Sequence, residues 1–260
     1  VDLVATFLGA HIVPPEHRVL AYAVQRFAIN LAGSRGPATA GFLAEHSFFW
    51  LFAVDAATSA FFGIIAWLFL PRGRKTPREQ AGWAYAWQSI RHNHAFLALF
   101  GACVCTAWIF RQTNTTFPLH FERSSLSLHL CGLVLALNGV MICLMEVPLA
   151  SGLRLWPVKQ VLALGYVLMG ASFLVFLVSG SLTAFVVMMI IFTFGEMSAF
   201  SRQQAYSASL APDDMRGRYV GFLSFAWCAG NTASSALGMT LYDHHPVILW
   251  WLNTALGVAA

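Results

Sequence analysis

The stretch Pro15–Gly41, PEHRVLAYAVQRFAINLAGSRGPATAG, decides how this chain is read. A short loop with proline, acid and basic residues leads into a long apolar run dotted with small residues. The run is long enough for a helix to cross the ~30 Å hydrocarbon core of a bilayer at ~1.5 Å per residue. The stretch also has an echo. At a gapless offset of 197 residues, Pro15 meets Pro212, Tyr22 meets Tyr219, Gly33 meets Gly230 and Gly41 meets Gly238. Both copies open a membrane-length segment, and parallel internal repeats build the two halves of many helical membrane proteins.

Composition points the same way. Of 260 residues, 58% are hydrophobic and 10% charged, against roughly 25% charged in a soluble domain. The apolar residues come in long runs separated by short polar loops, as in a polytopic helical membrane protein. The net charge of +4 sits in loops rather than along one stripe, which argues against nucleic-acid binding. Strands are excluded by the length of the runs. The five cysteines fall inside apolar runs without a C-x-x-C pair, so they read as free thiols acting as small hydrophobes. His92 and His94 lack a third ligand and read as surface residues, so no metal or cofactor is expected. There is no Gly-x-Ser-x-Gly elbow and no phosphate loop, so the chain is not read as an enzyme.

Hydropathy predicts the tail of one span and then eight segments, about 19–43, 48–70, 95–117, 130–150, 158–179, 182–200, 219–241 and 247–260. One set of loops holds Arg18, Arg72, Arg74, Lys75, Arg78, Arg91, Arg154, Lys159, Arg202, Arg216 and Arg218. The alternate loops hold only Arg123, and by the positive-inside rule the first set is cytoplasmic. In the longest loop, Trp83, Ala86, Trp87 and Ile90 share one helical face, which predicts a short helix on the inner membrane surface. Both ends read as cut: the chain lacks an initial methionine, and its last apolar run has 14 residues against the ~20 a span needs.

Several motifs together resemble the major facilitator superfamily. NLAGSRGPATAG, residues 30–41, is similar to the antiporter motif of that family's fifth helix. LALNGVMICLMEVPLA, IFTFGEMSAF and LAPDDMRGRYVGF resemble the eighth, tenth and eleventh helices of its bacterial drug:proton antiporter-like branch. The resemblance implies an all-α bundle of twelve helices in two halves, of which this chain would hold the end of helix four and helices five to twelve, the last clipped. The implied division is 1–71 for the end of the first half, 72–94 for a cytoplasmic linker and 95–260 for the second half. The implied activity is proton-coupled efflux of a small molecule, with uptake by symport or a non-transporting truncated fragment as alternatives. The setting would be the cell (inner) membrane, crossed several times, and the partners lipid, substrate and protons, with the protein monomeric. Two motif glycines are replaced by Ala32 and Ala40, whereas Gly36, Pro37 and Gly41 remain. Small residues still recur every fourth position, which permits close helix approach, and Pro37 removes a backbone donor. Ser201 stands where the family often has a proline.

Ionisable groups within spans cost roughly 2.5–3.5 kcal/mol each on insertion scales, so they face a cavity or a partner. Depth matching pairs Arg26 with Glu146 and Asn30 with Asn138 if the fifth and eighth helices pack as the family implies. A structural ion pair is the favoured role for the first, with coupling or substrate contact as the alternative. Arg35, Asp55 and Arg111 fall at similar outer depths, two cations to one carboxylate. Either one arginine snorkels outward, or a substrate anion or an acid elsewhere in the protein supplies the balance. Glu196 is expected at the inner end of its helix, in a gate pair with Arg202 or Arg218.

Overall fold

The computed structural model describes residues 17, 19–29, 48–69, 83–212 and 215–260. They form helices with no strand among the described residues. In chain order these are α1 Val19–Ile29, α2 Phe48–Phe69, α3 Trp83–His92, α4 His94–Gln112, α5 Thr116–Arg123 and α6 Leu128–Gly152. α7 Val158–Ala171 continues as a 3-10 turn, Ser172–Leu177; then come α8 Leu182–Leu210 and α9 Arg216–Ala233. A π-turn, Ser234–Gly238, joins α9 to α10 Met239–His244, and α11 Pro246–Ala259 follows.

Four helical runs among the described residues are long and apolar enough to cross a membrane: His94–Arg123, His129–Gly152, Val158–Leu177 and Leu182–Leu210. The last runs ten residues past its expected end at Phe200. The polar stretch Ser201–Gln203 stays helical because its side chains have partners inside the bundle. Arg202, expected in a cytoplasmic loop, is 2% exposed on α8 and donates to the carbonyls of Ser198 and Ala150 at 3.3 Å each. Gln203 accepts the buried Tyr166 hydroxyl at 2.9 Å.

The bundle is held by close helix packing around α8, which contacts α7 and α6, while α4 contacts α9 and α7 contacts α11. Without a bulk hydrophobic force in lipid, such contacts rest on small residues that let backbones approach. A methyl group on Gly195 of α8 would lie 2.6 Å from the Gly165 carbonyl of α7, and one on Gly257 of α11 would lie 2.5 Å from the Tyr166 carbonyl. Backbone cannot yield as a side chain can, so the helices would have to separate. Gly195→Ala is therefore expected to destabilise the protein by about 1–3 kcal/mol. Gly101→Ala, where nothing lies within 4 Å, should instead be neutral or stabilise by up to ~1 kcal/mol through helix propensity. Unfolding midpoints of the two variants in detergent check the contrast.

The short helix α3 divides its apolar face. Ala86 and Ile90 are buried in a cluster with Phe96, Tyr219 and Leu223, and Ser89 shares a 2.9 Å hydrogen bond with the Tyr219 hydroxyl. Trp87 remains exposed with its ring 5.7 Å from Phe222. Much of the face expected on lipid thus seats on protein.

Candidate functional site

α1, α6 and α8 each bring one ionisable side chain to a common point. The Arg26 guanidinium places Nη2 2.8 Å from Oε1 of Glu196 and Nε 3.3 Å from Oε1 of Glu146. Glu146 is fully buried at the side chain, Glu196 is 5% exposed and Arg26 is 11% exposed. The guanidinium also lies over the Phe200 ring, 4.9 Å from its centroid, a cation–π contact.

Two parallel rungs connect α6 to α8. At the first, the Asn138 amide donates to the Thr193 hydroxyl at 3.0 Å and to Oε2 of Glu196 at 2.9 Å. At the second, two turns further along α6, the Ser201 hydroxyl donates to Oε1 of Glu146. The spacing follows from helix periodicity: Thr193, Glu196, Phe200 and Ser201 lie at i, i+3, i+7 and i+8, one face of α8. Glu196 is therefore held at both oxygens. Glu146 is held at one, and its Oε2 is buried without a hydrogen-bond partner. Two carboxylates contact one guanidinium. Arg202, also buried on α8, donates to backbone carbonyls.

The expected Arg26–Glu146 contact is present in the geometry, with Glu196 as a second anion that sequence reasoning placed elsewhere. Glu196 was expected to face Arg202 or Arg218; its salt bridge is to Arg26. Asn138 was matched with Asn30, which lies outside the described residues, and its amide hydrogens go to α8 instead. Ser201, Thr193 and Phe200 were missed, although the helical face they share with Glu196 is a readable signal. Ala32, Arg35, Gly36, Pro37, Ala40 and Gly41 also lie outside the described residues. Asp55 falls within α2, and its side chain lies outside what is described.

Arg111, on α4, stands apart from this cluster. Its Nε donates to the Ser235 hydroxyl at 2.9 Å in an open cleft between α4 and the α9–π-turn segment. Arg123 pairs with Asp243 at 2.6 Å across the α5–α10 contact.

Comparison with known proteins agrees with this architecture. A family model for the Major Facilitator Superfamily matches residues 4–260. The chain is 27% identical to the uncharacterised MFS-type transporter YhjO of Bacillus subtilis over 84% of its length, covering 54% of that protein. It is 25% identical to the MFS-type transporter YttB of the same organism over 94% of its length, covering 62% of that protein. A Na(+), Li(+), K(+)/H(+) antiporter of Planococcus maritimus is 24% identical over 85% of the chain and is covered over 59% of its own length. The chain thus spans little more than half of these relatives. A helical bundle with membrane-length apolar helices, matched by one family model over nearly its whole length, belongs to the Major Facilitator Superfamily, a family of multi-pass membrane transporters.

Proposed function

We propose that the protein works as a proton-coupled secondary transporter that exports a small molecule, with Glu146 as the proton-exchanging group. The observation that carries this reading is the buried cluster of Arg26, Glu146 and Glu196. Two carboxylates sharing the Arg26 guanidinium away from water repel one another, and a proton on one of them relieves that repulsion. Glu146 suits that role because one of its oxygens has no partner, whereas both oxygens of Glu196 are engaged. On this assignment the Arg26–Glu196 contact is the fixed structural pair. The Planococcus maritimus relative, named as a cation/proton antiporter, supports exchange rather than symport. The same reading places the protein in the cell membrane with its basic loops inside. It divides the chain at the 72–94 linker between residues 1–71, from one half, and residues 95–260, from the other.

The test uses proteoliposomes with a pH-sensitive dye in the lumen and a panel of alkali cations, aromatic cations and aromatic anions added outside. Antiport draws protons out as solute enters, so at least one solute should make the lumen more alkaline. A lumen that turns acidic would establish symport, and no response to any solute would end the transport reading.

A further inference from the structure

We infer that the cleft between α4 and the α9–π-turn segment binds a small amphipathic anion: a flat aromatic or apolar body carrying a carboxylate, sulfonate or phosphate. This deepens the transport reading above and rests on it for its physiological role. The cleft is lined by Phe110, Arg111, Asn114, Trp227, Asn231 and Ser235, among others.

Arg111 supplies the charge argument. Among the described residues, Arg26 and Arg123 have carboxylates within 4 Å and Arg111 has none. Its Nε is committed to Ser235, and the two terminal nitrogens keep the planar fork that recognises carboxylate, sulfonate or phosphate oxygens. Arg111 is exposed on the last turn of α4, just before the turn that leads into α5. A guanidinium with its fork open in a cleft is a ready partner for a ligand anion.

The walls give the rest of the ligand. Phe110 packs edge-on to Trp227 at 5.7 Å, and Phe200 lies 5.6 Å from Phe110 and 5.1 Å from Trp227. These rings offer a stacking surface beside the guanidinium, while Asn114 and Asn231 add amide donors on the polar side. The wall is also fixed in place. Gln112 donates to Ser234 at 2.9 Å, Ser234 donates to the Trp108 carbonyl at 3.0 Å, and Thr116 donates to Gln112 at 2.8 Å. Gly238 lets Gln112 approach so closely that a methyl group there would sit 2.5 Å from its amide nitrogen. This lock holds the π-turn that presents Ser235 to Arg111, and such turns are frequent at functional sites. Phe200 touches both this wall and Arg26. A ligand in the cleft therefore lies one aromatic ring from the carboxylate cluster.

Equilibrium dialysis on the purified protein in lipid nanodiscs tests this directly. The probes share one ring system: 2-naphthoate and naphthalene-2-sulfonate as anions, 2-naphthamide as neutral, and 2-naphthylmethylammonium as cation. The anions should bind saturably and at least about tenfold more tightly than the amide or the cation. Arg111→Gln, with its unfolding midpoint measured alongside, should lose that preference and leave amide binding unchanged. Arg111→Lys keeps the charge without the fork and should weaken the anions severalfold, which covers the case where the glutamine variant fails to fold. Equal binding of all four probes, no saturable anion binding at millimolar concentration, or unchanged anion affinity in a folded Arg111 variant would each overturn the inference. Binding is measured without a gradient, so the two readings fail separately. Arg111-dependent anion binding without pH-driven flux sinks the transport reading alone. Flux of neutral or cationic solutes without anion binding sinks the anion site alone.

Discussion

Replacing Arg26 with alanine is expected to destabilise the folded protein by about 3–5 kcal/mol, the range for breaking a buried ion pair from one side. The upper end applies because one deletion strands two carboxylates, Glu146 and Glu196, both at contact distance from the lost guanidinium. The loss should be recovered in large part by Arg26→Met combined with Glu146→Gln and Glu196→Gln, since removing all three charges removes the desolvation cost together with the attraction. Arg26→Lys should fall between, because a single ammonium cannot span both carboxylates as the planar fork does. Denaturant unfolding in mild detergent, followed by tryptophan fluorescence, measures all three. An Arg26→Ala variant within about 1 kcal/mol of the parent would place it with exposed pairs and remove the cluster from the account of stability.

How far the sequence carries the reader differs between the fold and the site. Helices were legible because a bilayer demands long uninterrupted apolar runs, and the expected starts near residues 95, 130, 158 and 182 lie within two residues of the observed helix starts. The end of α8 was not legible, because Ser201, Arg202 and Gln203 look like a loop until their buried partners on α6 and α7 are known. The same holds within the site. Depth along a helix can be counted from sequence, and it brought Arg26 to the level of Glu146. Rotation about the helix axis is set by neighbouring helices, and that alone puts Glu196 on the Arg26 side rather than toward Arg202. The lock between Gln112, Ser234 and Gly238 joins residues more than 120 positions apart. Its only trace in sequence is a glycine that also looks like ordinary small-residue packing.

The second large effect is on coupling. Glu146→Gln is expected to reduce pH-driven flux to the rate of protein-free vesicles while exchange of solute for solute continues. The substitution keeps the volume of the side chain and still accepts the Ser201 hydroxyl, so packing around α6 and α8 is preserved. What disappears is the ability to take up and release a proton next to Arg26. Because the cluster carries two carboxylates for one guanidinium, neutralising Glu146 should leave stability within about 1 kcal/mol of the parent, or raise it. Glu196→Gln makes the opposite pattern. It removes the anion with the shorter contact to Arg26 and disturbs the Asn138 rung, so it should cost roughly 2–3 kcal/mol of stability through a lost charged hydrogen bond. Solute exchange and pH-driven flux would then decline together with the amount of folded protein. The two glutamates are thus separated by which measurement moves. If Glu146→Gln retained full pH-driven flux, the unpartnered oxygen would be a packing detail, and the proton would have to travel through another group.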